Sequence, residues 1–309
     1  MKRFIKKVGI IAVLLLIIGT GIILSSASAQ YRNFWSVITN SDAYDDSPTK
    51  EIVPYILKAQ QKNNEYTKLI IGDSVCHQIF NGFQNENEEY ATIGSNQAIT
   101  IVGQYLLAHE FVQNHSDTTD VYLIVTSLTG SGFSNAGYCY QYFVIPFSKE
   151  NVIGTIDPIT KEGLSNIFGV FYTNRYFIEL IDHSNFCRKL YLNSLSNNGY
   201  ADVAQSYLYL KKLADLCNEN GIEFHLLHAP MEESTKSAVE DEMNKEIEAC
   251  QDRELLPYLK AYYNSVTYYP DSFFKDGIHF KDEYSSKEQL IYYIHNMQKN
   301  SQLQGFCVK

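Results

Sequence analysis

The chain has 309 residues, enough for one large α/β domain and an appendage, and its 45% hydrophobic content is that of a globular rather than a disordered protein. A formal net charge of -10, with no basic stripe interleaved with aromatics to offset it, excludes nucleic acid as an expected partner. The 24 Tyr and 17 Phe suit surfaces that stack on sugars or line acyl pockets, with packing accounting for most of them.

The N-terminus carries the plainest topological signal. Lys2, Arg3, Lys6 and Lys7 precede an uncharged apolar run from about Val8 to Leu24. The run exceeds the roughly 7–15 residues of an ordinary export-signal core and falls slightly short of the ~20 that span a bilayer. Ala27-Ser28-Ala29, before Gln30, has the small residues of a cleavage site. Residues 1–29 are therefore expected to be a signal anchor or a signal peptide, with the anchor favoured. The basic flank puts the N-terminus in the cytoplasm and the rest outside. The expected location is the cell membrane, single-pass with an extracytoplasmic domain, or secreted or periplasmic if the segment is cleaved.

Residues 30–64 read as a polar spacer, in which Asp42, Asp45, Asp46 and Pro48 lead into a first helix near 50–62. The main domain is expected over 65–309. A short apolar run at 67–71 ends in Gly72 and reads as a buried strand entering a turn; 90–93 ends likewise at Gly94. A helix is expected at about 97–113, with apolar Ile101, Tyr105 and Leu106. Further apolar runs at 121–126 and, after Asn220-Gly221, at 222–227 give a third and a fourth strand, the latter flanked by helical patterns at about 201–217 and 232–250. Strands alternating with helices imply a parallel sheet covered on both faces, with reactive groups at the carboxyl ends of its strands. The stretch at about 130–198 is too long for a structureless loop and must carry its own structure. Its aromatics, from Tyr138 to Phe177, suggest an inserted subdomain or lid.

Cys76, Cys139, Cys187, Cys217, Cys250 and Cys307 are widely and irregularly spaced, with neither the density of a disulfide scaffold nor the CxxC pairs of a zinc site. Mostly free, buried thiols are expected, with no metal and no cofactor.

A serine placed directly after a buried strand, as in Gly72-Asp73-Ser74, can project its hydroxyl above the sheet while its amide faces a bound oxyanion. The hydroxyl needs a base, and the base needs an acid to hold its tautomer. Asp276-Gly277-Ile278-His279 supplies both from one loop, and a helix is expected after it at about 285–297. Gly-Asp-Ser alone is a common turn tripeptide and equally an N-cap for the next helix.

Taken together, the two segments resemble the SGNH/GDSL hydrolase superfamily, whose first block is a Gly-Asp-Ser turn after the first strand and whose last is Asp-x-x-His before the final helix. The resemblance covers about 67–297, while the G-x-S-x-G elbow of α/β-hydrolases is absent. It implies an α/β, SGNH-like (flavodoxin-like) three-layer sandwich, with Ser74 as nucleophile, His279 as base and Asp276 as orienting acid. In the family, a glycine after the second strand and an asparagine after the third complete the oxyanion hole. Gly94 fits the glycine, but Thr126-Ser127-Leu128-Thr129-Gly130 lacks the Gly-x-Asn-Asp pattern. Asn96 is an alternative amide donor, or the cap of the next helix; loss of one donor costs about 10²–10³ in rate.

Family members with a membrane-proximal location and an aromatic insertion resemble enzymes that add or remove acyl groups, commonly acetyl, on exported polysaccharide. The resemblance therefore implies an extracytoplasmic serine esterase or acyltransferase acting on carbohydrate or an acylated small molecule. The alternative is a catalytically degenerate, polysaccharide-binding relative.

Other residues carry less. His228, just past the fourth strand, is a candidate substrate contact or a core histidine; His225 precedes it. Cys76 and His77 are adjacent on a helix and do not face each other. Asp73 is expected to orient the serine turn, and Asp182-His183 has no evident partner.

Overall fold

The computed structural model describes residues 2–26, 49–62, 65–80, 89–95, 99–126, 128, 136–169, 171–183, 185–195 and 203–281. The expected spacer before the first helix, the C-terminal helix at about 285–297, Asn96, Ser127 and Cys307 lie outside them. The chain divides into two compact units, one of residues 1–50 and 135–199, the other of residues 51–134 and 200–309.

The second unit is built on a parallel sheet. The apolar runs become β1 (Lys68–Gly72), β2 (Tyr90–Gly94), β3 (Asp120–Val125) and β4 (Glu223–His228), ordered β2-β1-β3-β4. The register aligns Gly72 with Gly94 on one side and with Ile124 on the other, so the strands end together at one edge. Strand side chains alternate between faces. Ile70, Tyr122, Ile124 and Leu227 share one face and form a buried cluster with Val75, Cys76 and Phe80 of the helix that follows β1. On the opposite face, Phe224 and His228 meet Tyr258 and Tyr262, at 5.4 and 4.7 Å between ring centres. Helices therefore cover both faces, and each buried aliphatic side chain contributes about 1.5–3 kcal/mol.

In chain order this unit contains α2 (Thr49–Gln60), α3 (Ser74–Phe80), α4 (Thr100–Asn114), α10 (Val203–Glu219), α11 (Lys236–Ala249) and α12 (Leu256–Asn264), with α4 packed on α10 and α12 on β4. A second, two-stranded parallel sheet joins β5 (Met231–Glu232) to β6 (Tyr268–Tyr269) beyond the end of β4. Neither α12 nor this pair is evident from sequence periodicity, because two-residue strands have no period to read.

The first unit contains the N-terminal helix α1 (Lys2–Ser26) and a helical insertion. Within α1, Arg3–Gly21 has a mean hydropathy of 2.1, and the helix is long and apolar enough to cross a membrane by length and composition. The insertion comprises α5 (Ala136–Cys139), a π-helical turn over Tyr140–Val144, then α6 (Ile145–Lys149), α7 (Pro158–Phe168), α8 (Arg175–His183) and α9 (Asn185–Ser194). Its aromatics mostly build its own core: Tyr140, Phe143, Phe147 and Phe168 are buried, while Tyr138, Phe171 and Tyr176 remain exposed. Asp157 caps α7 by accepting from the Ile159 and Thr160 amides, both at 3.0 Å, and Pro158 takes the first helical position. Asp182 does have a partner: it is fully buried and accepts from Lys149 Nζ at 2.8 Å, while Arg188 donates to its carbonyl at 2.9 Å. Within the unit, α1 neighbours α8.

Candidate active site

Gly72 ends β1 because nothing larger fits: a Cβ there would collide with the Ile124 carbonyl oxygen and with Cys76. Asp73 then makes the turn. Its Oδ1 accepts from the amides of Val75 (3.0 Å) and Cys76 (3.3 Å), while its Oδ2 accepts from the Thr126 amide (2.7 Å) and hydroxyl (2.8 Å). The cap of α3 is therefore Asp73, with Ser74 in the first helical position and its hydroxyl left for other use. Helix N-terminal amides have no partner within the helix, which leaves the Ser74 N–H available at the sheet's carboxyl edge.

Gly94 is held against the same helix. A Cβ on it would lie 2.9 Å from the His77 nitrogen and 3.0 Å from its Cα, so glycine is what lets β2 and α3 approach. The Gly94 carbonyl accepts from His77 Nδ1 at 2.9 Å, which fixes that nitrogen as the protonated one, since a carbonyl can only accept. The next amide, Ser95 N–H, donates to the Gly72 carbonyl at 3.1 Å, and buried Gln104 Nε2 donates to the same oxygen at 2.8 Å. The ends of β1 and β2 are thus tied together beneath Ser74.

The candidate acid and base come from a loop closed by a bridge between Phe274 and Phe280, whose rings stack at 4.6 Å. Lys275 N–H donates to the His279 carbonyl at 2.9 Å, and Lys281 N–H to the Phe273 carbonyl at 2.8 Å. Gly277 has φ +85°, a conformation that glycine adopts without strain. Asp276 Oδ1 accepts the His279 amide at 2.8 Å, and the carboxylate receives His279 Nδ1 at 3.0 and 2.9 Å. With Nδ1 donating to the carboxylate, Nε2 is left to accept, and Ser74 Oγ lies 2.8 Å from it. Ser74, His279 and Asp276 therefore form one hydrogen-bonded chain that joins the loop to a serine 205 positions before His279.

The electrostatics agree with this arrangement. What burial Asp276 has pushes its carboxyl up, but the hydrogen bonds from the His279 amide and ring outweigh this and hold it below the usual carboxylate range. The Asp276 side chain is 49% exposed and His279 23%, so solvent can reach the pair.

Two features here escape a sequence reading. Gln78, one turn after Ser74 on α3, donates from Nε2 to the Phe280 carbonyl at 2.7 Å and accepts the Phe280 amide on Oε1 at 3.0 Å. Its spacing from Ser74 is the only sequence clue, because its partner is backbone 202 residues away. Ile278, beside His279, packs against the buried cluster under α3.

The remaining candidates fall elsewhere. His228 is 2% exposed; its Nδ1 lies 2.6 Å from the Ala229 carbonyl, and burial pushes its imidazole pKa down. It does not join the Ser74–His279–Asp276 chain. Cys76 is fully buried, and desolvation, then the charge of Asp73, push its thiol up, so it is no nucleophile. Cys139 and Cys217 are also buried free thiols, with burial raising Cys217 to about 12. His225 lies toward the opposite end of the strands, stacked on Tyr122 with Nε2 3.0 Å from Asp120 Oδ1. Asp120, Glu223 and His225 offer ligand atoms within 4.8 Å of one another, but the Asp120–His225 pair is already satisfied internally.

The chain matches no protein-family model, no curated protein and no solved structure.

Proposed function

We propose that this chain is an extracytoplasmic serine esterase or O-acyltransferase of the SGNH/GDSL type, acting on O-acyl groups, acetyl above all, of cell-surface or exported carbohydrate. The observation that carries the reading is the continuous chain from Ser74 Oγ to His279 Nε2 at 2.8 Å and from His279 Nδ1 to Asp276 at 2.9 Å. It stands where a parallel sheet presents reactive groups.

In this reading Ser74 Oγ attacks the ester carbonyl carbon as its proton passes to His279 Nε2, and Asp276 stabilises the imidazolium. The amides of Ser74 and Gly94 hold the oxyanion. Collapse expels the sugar oxygen, which takes the proton back from His279 and leaves the acyl group on Ser74. Water then completes hydrolysis, or a second sugar hydroxyl completes transfer, with His279 again removing the proton. The N-terminal helix is the membrane anchor in this reading.

A binding-only reading has one observation in its favour. At the end of β3, where the family carries its asparagine block, Thr126 is engaged with Asp73 instead of offering a side-chain amide. Release of acetate from an O-acetylated oligosaccharide separates the readings. The full-length protein in detergent should release acetate, and Ser74→Ala should lower the rate by about 10³-fold or more. A transferase releases little acetate, and the oligosaccharide loses its acetyl group to the hydroxyl of an acceptor sugar only when one is added. No acetyl loss with or without acceptor, alongside retained glycan binding in Ser74→Ala, would leave the binding reading standing.

A further inference from the structure

We propose that Gln78 is a positioning residue that sets the distance between Ser74 and His279; the inference rests on the serine-enzyme reading above. Residues four apart on a helix share a face, so Ser74 and Gln78 both look toward the His279 loop. Ser74 Oγ meets His279 Nε2 at 2.8 Å, and one turn along, Gln78 meets the backbone of the very next residue, Phe280, through both its N–H and its C=O, at 3.0 and 2.7 Å. The side-chain amide acts as a peptide group would in a strand, donating to and accepting from one backbone residue. Its orientation is fixed by its partners, because a backbone N–H can only donate and a carbonyl only accept. The four residues close a ring: helix turn, amide clasp, one backbone step, Ser–His hydrogen bond.

The hydrogen bonds between Asp276 and His279 lie within the loop and orient the ring without fastening it to α3. Among the described residues, and apart from the Ser74–His279 hydrogen bond itself, the Gln78 clasp and the packing of Ile278 fasten the loop to α3 and the cluster beneath it. A misplacement of about 1 Å at a reacting group costs about 10²-fold in rate, so the clasp acts on rate far more than on substrate affinity.

The test uses an alkyl fluorophosphonate, which needs no knowledge of the natural substrate. Ser74 Oγ bonds to phosphorus, fluoride leaves with the bonding pair of the P–F bond, and the hydroxyl proton passes to His279. Gln78→Leu, close in size but without polar atoms, should phosphonylate about 10²-fold more slowly than wild type while melting within a few degrees of it. Gln78→Glu gives the readout that a merely structural role would not move. As a carboxylate it accepts from Phe280 N–H but repels the Phe280 carbonyl; as a carboxylic acid it donates and accepts like the amide. Its rate relative to wild type should therefore rise as pH falls from about 8 to about 5. A Gln78→Leu rate within about twofold of wild type, or a pH-independent ratio for Gln78→Glu, overturns the positioning role. Failure of the wild-type protein itself to label overturns instead the enzyme reading on which it rests.

Discussion

Asp73 grips Thr126 twice, one carboxylate oxygen accepting its amide at 2.7 Å and its hydroxyl at 2.8 Å, while the other oxygen caps α3. A single carboxylate thus joins the end of β1, the start of the serine helix and the end of β3. Asp73→Ala removes the cap and the clasp together and should destabilise the protein by about 2 kcal/mol. Asp73→Asn keeps a capping oxygen but presents an amide NH2 toward the Thr126 N–H, so it should lose the clasp and part of that stability. Urea denaturation midpoints check this, and an unchanged midpoint in Asp73→Ala would contradict it.

Gly94→Ala tests the approach of β2 to the serine helix. The added methyl would press on the His77 backbone, which is not a flexible side-chain end that can swing aside. Helix α3 must retreat, taking Ser74 with it, and acyl-ester turnover should fall by about 10²-fold. Turnover equal to wild type would show that the helix absorbs the methyl elsewhere.

Much of this architecture is legible in the sequence, and the reasons are physical. The four strands are continuous apolar runs because both faces of the sheet are covered, and two of them end in glycines that the close packing of α3 and β3 demands. The candidate serine, histidine and acid announce themselves by residue type and by the short Asp276–His279 spacing. The clasps are harder to read: Gln78 bonds to backbone, which leaves no trace in residue type, and Asp73–Thr126 spans 53 positions. The inserted aromatics give a false impression of exposure, since composition does not distinguish a stacking surface from a core; Tyr140, for instance, packs on Phe168 at 5.2 Å and on Tyr191 at 4.7 Å.

Glu246, on α11, is buried beside Tyr207 and Tyr263, and neither carboxylate oxygen has a well-formed hydrogen bond. Burial pushes its carboxyl up, and the like charge of Glu242 pushes it further in the same direction. A folded-state pKa above the unfolded one means that the charged form opposes folding as pH rises through that range. Glu246→Gln should therefore raise the melting temperature by about 2–4 °C at pH 8, with a smaller gain at pH 5. Equal gains at both pH values would contradict this account.

Asp276 behaves in the opposite sense. Its carboxyl is held below its ordinary value in the folded protein, so its contribution is present above the unfolded pKa and lost as pH falls through the folded one. The melting-temperature difference between wild type and Asp276→Asn should be constant well above the ordinary carboxylate pKa of about 4 and close as pH falls below it. It should also be small, since the carboxylate is half exposed. Turnover should fall much further than stability, because the asparagine amide cannot hold His279 in the tautomer that leaves Nε2 free to accept.

The most direct test of the central claim is the intact mass of the full-length protein after exposure to an alkyl fluorophosphonate, with the adduct mapped by peptide sequencing. One phosphonyl group on Ser74, absent in Ser74→Ala and formed at least about 10³-fold more slowly in His279→Ala, is the predicted result. A wild-type protein that takes up no label, or a Ser74→Ala protein that labels as fast as wild type, would contradict the assignment of Ser74 as an activated nucleophile.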